Sequence, residues 1–357
     1  MNKKNQSYLF LITLIVFQQA NAMCLISGSR KGINIWSVKN WNKIKIPSEL
    51  KRIGVVKAVA VSPNSKYLVC GLSTAIGKGE IRVWDTKNWT EIKKIKQDEK
   101  VKSVAFSTDG EYLASSAVDG KIKIFKVRDW QAIKTLEHKH IVDSVAFDKG
   151  GQYFASGSHD GIVKVWDVKS WSKTKTLGEE EFFGSFVCSI AFSPDSKHLA
   201  FGPGDEVIKI WKTKGWKIEK TFEDSDEQNI WAIAFSQDGN YFVYGTRFGK
   251  IKILDTKTWK QIKTKKALKH EDTVLSIDFS LDGEYMASGS QDKTVKIWST
   301  KNWSEIKTLK LKNDVNSVVF LPLVPETKEQ KRLREERLLR EQRKKGRTDV
   351  IIKTQKN

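Results

Sequence analysis

The feature that most constrains this chain is a lattice of large side chains at near-constant intervals. Written in register, Trp36, Trp84, Phe125, Trp166, Trp211, Leu254 and Trp298 follow one another at spacings of 48, 41, 41, 45, 43 and 44 residues. Five residues after each comes a tryptophan, at Trp41, Trp89, Trp130, Trp171, Trp216, Trp259 and Trp303, so twelve of the 13 tryptophans belong to the lattice. Periods of this length mark small units that cannot bury their own faces and must stack on one another.

Inside a unit the period drops to two. Val104-Ala105-Phe106 leads to the turn Thr108-Asp109-Gly110, then to Tyr112-Leu113-Ala114-Ser115 and Ile122-Lys123-Ile124-Phe125. Alternation broken by Asp-Gly turns, which recur at Asp238-Gly239 and Asp282-Gly283, predicts antiparallel strands. Phe106, Phe147, Phe192, Phe235 and Phe279 each end a first strand nineteen residues before the lattice position, and Val61 departs by a four-residue insertion. A last short strand is expected after each second Trp, as in Glu305-Ile306-Lys307-Thr308-Leu309. Each unit is then a four-stranded meander, and seven meanders stacked round an axis leave only short, protected edges. The expected fold class is all-β, a seven-bladed β-propeller of four-stranded antiparallel blades.

These units resemble the WD-repeat family. The closest fits are Val145-Ala146-Phe147 through Phe154-Ala155-Ser156-Gly157-Ser158-His159-Asp160-Gly161 to Trp166-Asp167, and Ser276-Ile277-Asp278-Phe279 through Met286-Ala287-Ser288-Gly289-Ser290 to Trp298. The likeness spans nearly residues 23–321. It implies a buried hydrogen-bond network of His, Ser or Thr, Asp and Trp, for which two units carry the full set: His138, Ser156, Asp160 and Trp166, and His270, Ser288, Asp292 and Trp298. A buried indole N–H and a buried hydroxyl need partners, so these residues are structural rather than catalytic. Elsewhere the pattern lapses: Cys70, Phe201 and Tyr244 stand where the Ser would be, Phe248 replaces the turn Asp, and Leu254 replaces the Trp. Those units are left to apolar packing.

Both ends of the chain depart from the repeat. Residues 1–22 run from Met-Asn-Lys-Lys through an apolar stretch, Tyr8 to Phe17, to an Ala-x-Ala site ending at Ala22. That is the form of a cleaved secretory signal peptide, which places the mature chain outside the cytoplasm, secreted or periplasmic. The alternatives are a membrane anchor retained uncleaved, or a cytoplasmic protein in which Ile15-Val16-Phe17 serves as the first strand of blade one. Val315 to Phe320 reads as a first strand with no later strands behind it. With the leader removed, it completes blade one and closes the ring, so the propeller is expected over 23–325. Residues 326–357 change character, with 12 Lys and Arg against 6 Asp and Glu. Thr327 with Gln330 forms a capping box and Gly346 a stop, which predicts a short charged C-terminal helix. It is either a basic arm for an acidic partner or a solvated helix.

Chemistry is otherwise sparse. No Gly-rich phosphate loop and no nucleophile elbow is present, and His138, His140, His159, His198 and His270 fall at repeat positions rather than in a cluster. Cys24, Cys70 and Cys188 make neither a disulfide framework nor a zinc motif. No catalytic residue, metal, cofactor or small-molecule substrate is expected. The reading is a non-enzymatic scaffold that binds one or more proteins. Contacts are sought in loops that break the repeat, chiefly Glu179, Glu180, Glu181, Phe182 and Phe183, with 74–79 and 224–229 beside them. The competing reading for the Phe pair is inward packing. Binding of nucleic acid or an anionic surface is the alternative, prompted by a net charge of +21. Only +6 of that lies in the tail, and the Lys-rich remainder recurs unit by unit, where solubility is sufficient reason. A hydrolase on the propeller is the third class, with no nucleophile to assign.

Overall fold

A computed structural model describes residues 23–74, 77–178, 186–203, 207–223 and 230–322. Blade one holds β1 (Cys24–Ser29) and β2 (Gly32–Ser37), and a short helix α1 (Ser48–Lys51) leads to blade two. Blade two is β3 (Val55–Val61), β4 (Tyr67–Ser73), β5 (Gly79–Asp85) and β6 (Glu91–Gln97). Blade three is β7 (Val101–Phe106), β8 (Tyr112–Ala117), β9 (Lys121–Lys126) and β10 (Gln131–Glu137); blade four is β11 (Val142–Phe147), β12 (Tyr153–Ser158), β13 (Val163–Asp167) and β14 (Lys173–Leu177). Blade five is β15 (Val187–Phe192), β16 (His198–Pro203), β17 (Val207–Lys212) and β18 (Lys217–Glu223); blade six is β19 (Ile230–Phe235), β20 (Tyr241–Thr246), β21 (Lys250–Asp255) and β22 (Leu268–Lys269). Blade seven is β23 (Val274–Phe279), β24 (Tyr285–Ser290), β25 (Thr294–Ser299) and β26 (Glu305–Lys310), and β27 (Val315–Leu321) follows.

β27 pairs antiparallel with β1, Leu25 opposite Phe320, and takes the inner place in blade one, whose order is β2-β1-β27. Each inner strand (β27, β3, β7, β11, β15, β19 and β23) packs against the next, so the ring of seven closes. The outer strands of two blades fall short of expectation. After Trp41 there is only a single bridge, Trp36 to Lys43, and after Trp259 a bridge from Leu254 to Gln261 ahead of the two-residue β22. An outermost strand has one neighbour to hold it. In blade one Pro47 cuts it off, and in blade six the run Lys260 to Lys266 offers little apolar surface to anchor it.

The second tryptophans explain themselves in space. All seven adopt a left-handed backbone, with φ between 51° and 60°. That conformation costs a non-glycine residue about 1–2 kcal/mol, so something must hold it. In six of them the Trp N–H closes the turn on the carbonyl four residues earlier, at 2.6 to 2.8 Å. The ring then stands edge-on to the Tyr that opens the second strand of the preceding blade: Trp130 on Tyr67, Trp171 on Tyr112, Trp216 on Tyr153, Trp303 on Tyr241 and, across the closure, Trp41 on Tyr285. Centroids lie 5.1 to 5.4 Å apart, a geometry worth about 0.5–1.5 kcal/mol per pair beyond the area buried.

On the channel side, hydroxyls stitch neighbouring inner strands. Ser144 Oγ accepts from Ile190 N–H at 3.1 Å, Ser189 from Ile233 at 3.2 Å, Ser276 from Val318 at 3.0 Å and Ser317 from Val59 at 3.2 Å. Asp278 adds a stitch of a different kind, its Oδ2 accepting Phe320 N–H from β27 at 2.7 Å. The equivalent places hold Ala60, Ala105, Ala146, Ala191, Ala234 and Val319, and in these surroundings burial pushes the Asp278 carboxyl up to about 7. Its folded-state value lies above that of a free carboxyl, so from pH about 4 to about 7 the unfolded chain ionises while the folded chain does not. Stability is therefore lost across that window as pH rises. Asp278→Asn keeps the acceptor for Phe320 and removes the titration. Its unfolding midpoint is expected to match the wild type near pH 4, to exceed it progressively up to pH 7, and to hold the gain above. A constant offset at every pH, measured by thermal unfolding, would contradict this.

Candidate functional site

The four-residue network is complete in blade seven. Ser288 Oγ accepts from Trp298 Nε1 at 2.9 Å and bonds His270 Nε2 at 2.7 Å, and His270 Nδ1 meets Asp292 Oδ2 at 2.8 Å. Asp292 is itself held by Thr294, whose Oγ1 and N–H reach Oδ1 at 2.7 and 2.8 Å, and by Glu271 N–H at 3.1 Å. Burial opposes ionisation of this carboxyl, but the His270 and Thr294 hydrogen bonds hold it far below the usual carboxylate range.

In blade four the same four residue types do not all connect. Trp166 Nε1 donates to Ser156 Oγ at 3.0 Å and His138 Nε2 bonds that oxygen at 2.7 Å, yet among the described residues His138 Nδ1 is buried with no hydrogen-bond partner, and Asp160 accepts only from Ile162 N–H at 3.2 Å. The cause is one position. Two residues after the aspartate, blade seven has Thr294, which orients the carboxylate, and blade four has the apolar Ile162. Burial and the nearby Lys164 push His138 down to about 4, so it sits neutral, with Asp160 opposing only at a distance. Where residues depart from the pattern, polar atoms are stranded: Trp84 Nε1 in the cluster with Cys70, Trp211 Nε1 beside the stacked Phe201, and Ser115 Oγ in the blade where Phe125 replaces the Trp have no partner among the described residues. All this is internal carpentry of the blades. The loop residues Glu179, Glu180, Glu181, Phe182 and Phe183 lie outside the described residues, as do 224–229, the leader and the tail.

A second constellation emerges at the end of the ring where the inner strands begin. Every inner strand slips its register around its second residue, and the seven side chains thus set apart are Lys57, Lys102, Asp143, Cys188, Trp231, Leu275 and Asn316. A bulge of this kind re-aims a side chain out of the ladder. Three of these seven, Lys102, Asp143 and Asn316, reach sideways to neighbouring blades round the channel mouth. Lys102 Nζ lies 2.5 Å from Asp143 Oδ1, His159 pairs with the other Asp143 oxygen, and Asn316 Nδ2 donates to Val56 O at 2.7 Å. Burial works against the Asp143 charge, but the His159 and Lys102 contacts keep its carboxyl below the ordinary range. Lys57 is pulled down by burial and by the crowding of Lys102, Arg30 and Lys100, which Asp314 only partly offsets.

The sequence carried a signal for this ring. In blades three to seven the bulged residue sits 23 positions before the lattice residue, a place held in register but never in residue type, and Trp231 is the one tryptophan outside the lattice. The cysteines are not reactive candidates: burial pushes Cys24 and Cys188 up to about 12 and Cys70 higher still. Among the described residues no three His, Cys, Asp or Glu side chains gather as a metal-binding group.

Residues 51–85, 130–167 and 172–212 match the family model for the WD domain, G-beta repeat, three times along a ring of seven blades. The chain belongs to the WD-repeat propeller family. Two further models overlap this WD-repeat chain, the anaphase-promoting complex subunit 4 WD40 domain over 72–141 and the Vps42 beta-propeller over 226–333. No curated protein matches it.

Proposed function

We propose that this WD-repeat propeller is a non-enzymatic protein-interaction scaffold whose working surface is the channel mouth. One observation carries the reading. The blades repeat their packing residues faithfully, yet at the single position that the inner-strand bulge presents to the mouth the seven blades hold six residue types, from Lys57 to Trp231. Variation in an otherwise uniform frame is where a binding surface is written. The test is affinity capture from the native cell, with cross-linking, using the tagged full chain. One or a few proteins are expected at near-stoichiometric yield, and repeated recovery of none overturns the reading.

Export belongs to the same proposal. It is supported by the closure of the ring through β27 and β1, which needs no strand upstream of Met23. Mass spectrometry of the chain from its native source is expected to find Met23 at the mature N-terminus. An intact Met1 would argue for retention inside the cell or at the membrane.

A further inference from the structure

The seven residues of the mouth fall into two sectors of opposite chemistry. On the side of blades one to three stand Lys57, Lys102, Lys100 and Arg30. Two of these charges are spent, Lys102 on Asp143 at 2.5 Å and Arg30 on Asp314 at 3.4 Å. Lys57 has no hydrogen bond or ion pair among the described residues, and its exposed side chain carries an ammonium crowded by three other cations, Lys102, Arg30 and Lys100. Lysines kept for solubility stand apart in water, as Lys93, Lys96 and Lys134 on the outer strands do. Here they converge, and their mutual repulsion is relieved when an anion arrives.

On the side of blades six and seven the mouth is apolar. Trp231 and Leu275 are bulged residues, both only partly buried. Phe248, in the turn between β20 and β21 at the same end of the ring, is 62% exposed where blades three, four and seven carry Asp119, Asp160 and Asp292. That turn is fixed from blade seven by Thr273 Oγ1, which donates to Arg247 O at 3.0 Å. Trp231 is not there for the blade. Its counterparts are Lys, Asp, Cys, Leu and Asn, and its own Nε1 is shielded without a partner among the described residues, a cost that a residue chosen for stability would avoid. Two aromatics and a leucine on one side of the mouth, with ammonium groups unpaired among the described residues on the other, offer an apolar anchor with a charged flank.

Resting on the scaffold reading above, we propose that the mouth captures a short segment of a partner protein that combines Asp or Glu with a bulky apolar side chain. The carboxylates are drawn to Lys57 and Lys100, and the apolar side chain covers Trp231, Leu275 and Phe248. A single-stranded nucleic acid could use the cationic sector and stack bases on Trp231 and Phe248, so it is the competitor the test includes.

The test titrates the full chain into fluorescein-labelled octapeptides followed by anisotropy. The probe is Glu-Glu-Asp-Phe-Glu-Leu-Phe-Asp. Its controls replace the acidic residues by Lys or the apolar ones by Ser, and an oligo-dT strand stands for nucleic acid. The probe is expected to bind, each control peptide to bind at least about tenfold more weakly, and Lys57→Glu and Trp231→Ser each to weaken the probe about tenfold or more. Lys57→Gln and Phe248→Ser, both at exposed positions, carry the same expectation should Trp231→Ser disturb folding. Equal binding by these variants, stronger binding of oligo-dT than of the probe, or no binding at protein concentrations up to about 1 mM overturns the proposal. Affinity capture separates the two readings. A native partner retained by Lys57→Glu and Phe248→Ser leaves the scaffold standing and removes this surface, whereas no partner for any version removes both.

Discussion

Asp292→Ala is expected to lower unfolding stability by about 2–4 kcal/mol, and Asp160→Ala by less than about 1 kcal/mol, although the two aspartates occupy the same place in blades seven and four. Removing the Asp292 carboxylate leaves His270 Nδ1, on a side chain wholly shielded from solvent, with only the Thr294 hydroxyl at 3.0 Å, and takes away the acceptor of Glu271 N–H and Thr294 N–H. Removing Asp160 strands one N–H, that of Ile162, because His138 Nδ1 is already without a partner. The effect also has a sign in pH. The Asp292 carboxyl titrates below a free carboxyl, so its contribution is complete above the usual carboxylate range and shrinks as pH falls below about 4. Urea unfolding of both variants at pH 7 and at pH 3 measures it. Equal losses at pH 7 would mean that the hydrogen bonds round Asp292 do not set its weight.

That contrast marks how far the sequence could be read. The blade count and strand order were legible because the residues that mark them are packing necessities. Five of the seven tryptophans held at positive φ pack edge-on against the Tyr of the preceding blade, so pairs such as Trp130 with Tyr67 and Trp303 with Tyr241 recur together. The closure was legible because Val315 to Phe320 is a first strand with nothing behind it. What escaped was whatever depends on a single unrepeated neighbour. His138, Ser156, Asp160 and Trp166 spell the same network as their counterparts in blade seven, and only Ile162 in place of Thr294 undoes one link. Of the outer strands expected from the repeat, the one after Trp41 gives way to a single bridge before Pro47, and the one after Trp259 shrinks to the two-residue β22 behind a run rich in lysine. The mouth escaped for a deeper reason. A search for periodicity reports what recurs, and Lys57, Asp143 and Trp231 carry information because they do not.

The largest effect is expected from the closing strand. A chain that stops at Lys312 lacks β27, and it should fail to fold cooperatively. Val315, Val318, Phe320 and Leu321 are each at least nine-tenths buried, and at about 1.5–3 kcal/mol per side chain their burial is comparable with the whole stability of an ordinary domain. The loss spreads to both neighbours. Blade seven gives up the stitches from Ser276 and Asp278 to Val318 and Phe320, and blade two gives up those from Ser317 to Val59 and from Asn316 to Val56. β1 is left as an open edge, and the ring becomes an arc whose end blades each expose an apolar face. A chain running from Met23 to Pro322 keeps every one of these contacts and should unfold with the midpoint of the full chain. Adding a synthetic peptide of residues 313–322 to the Lys312-terminated chain should restore part of the native near-ultraviolet dichroism, because the strand docks by pairing and burial that need no covalent link to blade seven. A native midpoint for the Lys312-terminated chain without the peptide would show that six blades and a remnant close by themselves, and the clasp would then be an ornament on the ring rather than the element that shuts it.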